Sequence, residues 1–162
     1  MKKAIVYINQ FFGQLGGEDT ADVAPSLHKG QIGPALAYQQ ELKDCEVTDT
    51  IICGDNYMGS HTEKAVSRIL DFLSPLSFDI FIAGPAFNAG RYGVACGTIC
   101  RAVKERFGVP VITSMNEENP GVEMFRKDVL ILRGGNIASK MKQDLKAVAG
   151  LANKILAGEE IG

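Results

Sequence analysis

Arg91 stands in the stretch GPAFNAGRYGVACG, residues 84–97, which holds four glycines and no acidic side chain. A cation at the start of a helix runs against the helix dipole, whose N-terminal end is partially positive. The placement makes sense beside an anion. Backbone N–H groups at a helix start attract one, and a guanidinium offers a planar pair of donors to a carboxylate or phosphate. Gly84, Gly90 and Gly93 would let the backbone bend and come close to such a ligand. A plainer reading uses the same residues: a structural ion pair from Arg91 to Glu117 or Glu118 in the loop NEEN.

Other polar residues follow apolar runs in the same way. Asp55 and Asn56 in CGDNY could hold an ammonium or amine, or bond local backbone in a turn. Asn9 and Gln10 could read the polar groups of a small ligand, or cap their own loop. Asn88 and Tyr92 share the loop of Arg91. If the ligand carries a quaternary ammonium, aromatic faces would favour it, and Phe11, Phe12, Tyr57, Phe87 and Tyr92 are the candidates, with core packing as the alternative. Glu18 and Asp19 read as the opening of a short helix.

The histidines and cysteines point less clearly to chemistry. His28 and His61 have no Cys or acid at metal-ligand spacing, and neither reads as catalytic. Cys96 and Cys100 lie four apart on one helical face, at most half of a tetrahedral metal site, so no metal is expected. Cys53 ends a strand without an identifiable activating base. With no secretory signal, the four cysteines read as reduced thiols.

These residues need a scaffold, and the hydrophobic pattern supplies one. Apolar, β-branched runs at 3–8, 47–53, 79–84, 109–113 and 128–134 read as buried strands. Helical spacing predicts helices at 34–43, after SHTE, at 91–107 and at 138–158. Ser60 and Glu63 have the spacing of a capping box, and Pro75 stops that helix. Strands alternating with helices predict a three-layer α/β/α domain, flavodoxin/Rossmann-like, with a five-stranded parallel sheet in the order 2-1-3-4-5. One such domain spans 1–162. Ligands of this fold bind beyond the carboxyl ends of the strands, where the loops NQFFGQLGGED, CGDNYMGS, GPAFNAGRYG, SMNEENPG and RGGN gather.

Composition narrows the function classes. The net charge of −2, with both signs interspersed, gives no footprint for nucleic acid. No apolar run reaches the roughly 18–20 residues of a membrane span, and a cytoplasmic location is expected. The chain lacks GxGxxG after its first strand, GxxxxGK[ST], and GxSxG, the usual marks of nicotinamide binding, nucleotide hydrolysis and serine esterase chemistry. The residues alone lead to a polar, glycine-rich crevice for a small anionic or zwitterionic ligand.

The segments YINQFFGQLGGED, ICGDNYMGS, AGPAFNAGRYGVACG and NEENPGVEMFRKD together resemble the amino-terminal region of the substrate-specific B component of glycine, sarcosine and betaine reductases from amino-acid-fermenting anaerobes. D-proline reductase is a related system. The similarity runs from Met1 to LAGEEIG. It implies an oxidoreductase component acting on a C–N bond of a small amino acid or N-methylated glycine. The family activates the amine as a Schiff base or equivalent adduct. A selenocysteine then attacks the methylene carbon, expels the amine and leaves a carboxymethyl selenoether, which passes to a small selenoprotein carrier; another component makes acetyl phosphate.

No selenocysteine, UxxC or CxxC pair occurs in these residues, and the pyruvoyl group used with some substrates belongs to a separate subunit. The chain is therefore expected to be an amino-terminal domain or fragment of a longer subunit, to hold no cofactor itself and to be inactive alone. Its expected partners are the substrate and the other reductase subunits, with self-association open. Substrate-binding candidates are Asn9, Gln10, Asp55, Asn56, Asn88, Gly90, Arg91, Tyr92, Gly93, Glu117 and Glu118, without catalytic assignments. The alternatives are a non-catalytic docking module for the other subunits and a flavodoxin-like cofactor binder.

Overall fold

The computed structural model describes residues 1–15, 20–135 and 141–158. Glu18, Asp19 and the first residues of the expected closing helix lie outside them. β1 (Lys2–Asn9) is the centre of the sheet, pairing in parallel with β3 (Cys45–Cys53) on one side and β4 (Ile80–Ala83) on the other. β5 (Val111–Met115) and β6 (Leu130–Arg133) continue outward from β4, also in parallel. These five strands follow the expected 2-1-3-4-5 order.

A sixth strand corrects the five-stranded, all-parallel expectation. β2 (Ser26–Lys29) arises from the long first loop and pairs antiparallel with β3, giving the order β2-β3-β1-β4-β5-β6. Its sequence, SLHK, has no apolar alternation, because it is a short edge strand with partly exposed side chains. The register is pinned next to it: Gly30 N donates to Thr48 O at 2.7 Å, and Thr50 Oγ1 donates to Gly30 O at 2.8 Å.

Side chains alternate across the strands, so the sheet builds two cores. Ile5, Tyr7 and Ile51 face a layer formed by α2 (Asp55–Ser60), α3 (Thr62–Leu73), α4 (Gly90–Phe107) and α5 (Pro120–Phe125). Ala4, Val6, Ile8 and Ile52 face α1 (Pro34–Glu41) and α6 (Met141–Leu156). Asn153 fastens the second layer from α6, accepting Lys43 N–H at 2.8 Å and donating to Glu41 O at 2.9 Å.

Helix α3 buries Ala65, Ile69 and Leu73, the expected face. Its start differs from the capping-box expectation. Ser60 is the last residue of α2, so His61 takes the cap position without a side-chain bond, and Thr62 Oγ1 donates back to Met58 O at 2.7 Å. Two short helices, α2 and α5, thus occupy stretches that read as loops, and both stand at the carboxyl edge of the sheet.

Candidate functional site

The end of β1 grips the start of α2. Asn9 is buried, and its Nδ2 donates to Asp55 Oδ2 at 3.0 Å while its Oδ1 accepts Phe12 N–H at 3.0 Å. Gln10 Oε1 accepts the Asp55 backbone N–H at 3.1 Å. Asp55 is left only 7% exposed, its carboxylate fixed in a largely apolar wall. Ala21 O accepts the backbone N–H groups of Asn56 and Tyr57, at 2.8 and 3.0 Å, and so satisfies the start of α2. Asn56 is half-buried; it donates to Asp22 Oδ1 at 2.5 Å and its Oδ1 accepts from Arg91 Nη1 at 3.4 Å.

Two hollows meet at this point. The first, about 430 Å³, is lined by Asn9, Gln10, Asp55 and Arg91 together with the rings of Phe11, Phe12, Phe87 and Tyr92. The second, about 300 Å³, lies between α2 and α4 and is lined by Met58, Val94, Ala95 and Pro120 among others. Asp55, Gly90 and Arg91 belong to both linings. The rings form one cluster around Phe12, with centroids 5.2 Å from Phe11, 6.0 Å from Phe87 and 5.9 Å from Tyr92. Arg91 itself is exposed at the rim, whereas Tyr92, the next residue of α4, is buried in the core.

Sequence reasoning missed the residue that braces this rim, Asn119. It is 1% exposed, and its Nδ2 donates to Phe87 O and Ala89 O, both at 3.1 Å. Its Oδ1 accepts Gly121 N–H at 3.0 Å and caps α5. Phe87, held by these bonds, has a left-handed φ of 53°, uncommon for a bulky residue. The available signal was Asn-Pro in NEENPG, an N-cap followed by proline at the first helical position. Two glycines of α4, Gly93 and Gly97, leave room for neighbouring side chains. A Cβ on Gly93 would lie 2.1 Å from Asn119 Oδ1, and one on Gly97 would lie 2.1 Å from the Phe125 ring.

Five sequence candidates line neither hollow: Asn56, Asn88, Gly93, Glu117 and Glu118. Glu117 pairs with Arg133 at 2.8 Å in an exposed bridge between the β5–α5 loop and the end of β6. Glu118 is exposed, its backbone N–H donating to Asn116 Oδ1 at 3.0 Å. Asn88 is exposed in the turn before α4 and lines neither hollow. Of the remaining aromatic candidates, Tyr57 packs on His61 with centroids 4.9 Å apart.

Behind the crevice lie the thiols. All four cysteines are buried and free. Burial pushes the Cys53 thiol up to about 12, against the opposing pull of the neighbouring Tyr7 hydroxyl. Burial likewise raises Cys45 to about 11, and raises Cys96, Cys100, Tyr7 and Tyr92. The thiols are therefore protonated at neutral pH, and a protonated thiol is a weak nucleophile. Among the described residues there is no group of three or more metal-ligating side chains, and no helix long and apolar enough to cross a membrane.

Residues 1–162 match the family model described as "Glycine/sarcosine/betaine reductase selenoprotein B". The chain is 61% identical over its whole length to the betaine reductase complex component B subunit beta of Peptoclostridium acidaminophilum. It is 45% identical, over 99% of its length, to the sarcosine reductase complex component B subunit beta of the same organism. The same figures hold for the glycine reductase complex component B subunit gamma of Carboxydothermus hydrogenoformans. It spans 37% of the length of each of these relatives. A match covering every residue of the chain makes it a member of the glycine/sarcosine/betaine reductase selenoprotein B family.

Proposed function

We propose that these residues form the substrate-binding part of a component B subunit in a cytoplasmic reductase complex, with betaine as the preferred substrate. One observation carries the reading: the buried Asp55 carboxylate and the exposed Arg91 guanidinium share the wall of a hollow of about 430 Å³ lined by aromatic rings. Opposite charges on one wall suit a zwitterion. Phe12 and Phe87, both in the lining, are the aromatic partners for a methylated ammonium, with Asp55 as its counter-charge. Arg91 and the backbone N–H groups at the start of α4 take the carboxylate. The betaine reductase name of the 61% identical relative supports this choice of substrate.

The buried, protonated thiols offer no ready thiolate, and a quaternary ammonium has no N–H with which to form a Schiff base. A selenolate supplied from outside these residues would form a Se–C bond to the substrate methylene as the C–N bond breaks, the amine leaving with the electron pair and a carboxymethyl selenoether remaining. What the chain contributes is position: both ends of the substrate are held, and the methylene between them is presented to the incoming nucleophile.

Calorimetry on the chain with betaine, sarcosine, glycine and acetate tests the reading. Betaine is expected to bind more tightly than sarcosine, and sarcosine more tightly than glycine, with Arg91→Ala weakening all of them. No heat with any ligand would overturn the reading. It would favour a docking role for this loop face, which the 60% exposure of Phe11 also suits.

A further inference from the structure

The second hollow has a different chemistry from the first. Its walls are Met58, Val94, Ala95 and Pro120, with Thr62 and Thr98. Both threonine hydroxyls already donate to backbone carbonyls, Thr62 to Met58 O and Thr98 to Val94 O, each at 2.7 Å. Their methyl-bearing side chains thus add little donor capacity to an aliphatic cavity. Its anionic group is Asp55, 7% exposed and fixed by Asn9 Nδ2 at 3.0 Å. At about 300 Å³ the cavity falls at the lower end of small-ligand pockets. Arg91 also borders this hollow, but as an exposed residue at the edge shared with the first, so the aliphatic interior with the buried carboxylate in its wall matches a small cation sheathed in methyl groups.

We infer that this second hollow is a holding site for the methylated amine released by C–N cleavage, an inference that rests on the substrate reading above. Asp55, Gly90 and Arg91 line both hollows, so the amine passes the same carboxylate that faced it as part of the substrate. In the cleavage, the selenolate gives its electron pair to the methylene carbon, nitrogen keeps the pair of the C–N bond, and the neutral amine takes a proton from water. The trimethylammonium ion then pairs with Asp55 in the aliphatic hollow, while the carboxylate product stays with Arg91 in the aromatic one. Separating the two products across one wall hinders the reverse attack of amine on the carboxymethyl group.

The test uses the whole chain with a 13C label on the methionine methyl groups, the Met58 signal being assigned by Met58→Leu. Trimethylamine hydrochloride is titrated into protein already saturated with betaine. The expected result is a saturable shift of the Met58 methyl while betaine remains bound. Val94→Phe, at a half-buried position of the cavity wall, should weaken the amine roughly tenfold or more and change betaine affinity less than about twofold. The neutral, methyl-sheathed analogue tert-butanol should bind far more weakly than the amine.

An amine that displaces betaine and leaves Met58 unmoved overturns the holding site, as does equal binding of tert-butanol. A Met58 shift that saturates in a chain giving no heat with betaine would sink the substrate reading alone and leave the methylammonium site standing.

Discussion

Asn119 lies flush against Gly93, so close that a Cβ on the glycine would sit 2.1 Å from the asparagine amide oxygen. The contact lets one buried amide tie the loop after β5 to the loop after β4, through Phe87 O and Ala89 O. The aromatic wall of the larger hollow therefore depends on a residue that never touches it from the ligand side.

Gly93→Ala is the direct probe of that contact. The added methyl has no free space, and overpacking of this kind costs roughly 1–3 kcal/mol. Thermal unfolding should show a lower Tm. Betaine affinity should fall with it, because displacing the amide releases Phe87 and Ala89.

Asn9→Ala removes a donor to Asp55 and an acceptor for Phe12 N–H, both at 3.0 Å. Losing hydrogen bonds at a buried carboxylate costs roughly 1–3 kcal/mol. Urea unfolding should show this loss, and calorimetry should show weaker betaine binding. A variant with unchanged affinity would remove Asp55 from the cation site.

The thiols give a pH dependence with a definite sign. Cys53 is raised from an ordinary 9.0 to about 12 by burial, so the unfolded chain ionises it first. Its contribution to stability is complete below about pH 9 and is lost as pH climbs from there toward 12. Urea midpoints should hold steady from pH 7 to about 8.5 and decline above that, less steeply in Cys53→Ala. At pH 8, a thiol-specific disulfide reagent should leave all four cysteines unmodified until denaturant is added.

Glu117→Gln provides the contrasting case. Its bridge to Arg133 has side chains 58% and 75% exposed, respectively. Exposed pairs contribute about 0–1 kcal/mol, so unfolding should shift by no more than that. Betaine affinity should stay the same, since the pair lies outside both hollows.

The strands were legible because a buried parallel strand is a local signal: IVYI, TIIC and IFIA are apolar on both faces and need no partner to be recognised. Edge strand β2 was not, because SLHK becomes a strand through bonds to Asp49–Ile52 of β3, which lie far along the chain. Helices α2 and α5 are six residues each, too short for a periodic pattern to emerge. The same distinction applies to the site. Arg91, Asp55, Asn9 and Gln10 were visible as polar residues following strands, and they do line one hollow. Asn119 was hidden because its bracing role depends on two carbonyl partners from another loop, Phe87 O and Ala89 O. Gly93 was visible but its neighbour Asn119 was not, since a glycine that admits a ligand and one that admits a neighbouring side chain look identical in sequence.

The alternation of side chains across β1 has one more effect. Ile5 and Tyr7 answer to the helices that frame the crevice, while Ala4, Val6 and Ile8 answer to α1 and α6. Substitutions on the far side of the sheet should therefore have less leverage on the crevice than substitutions on the near side. That independence stops at Phe12, which packs against both cores, and at Tyr38, whose hydroxyl reaches from the far layer to Gly84 O at 2.9 Å, at the foot of the loop that carries Phe87.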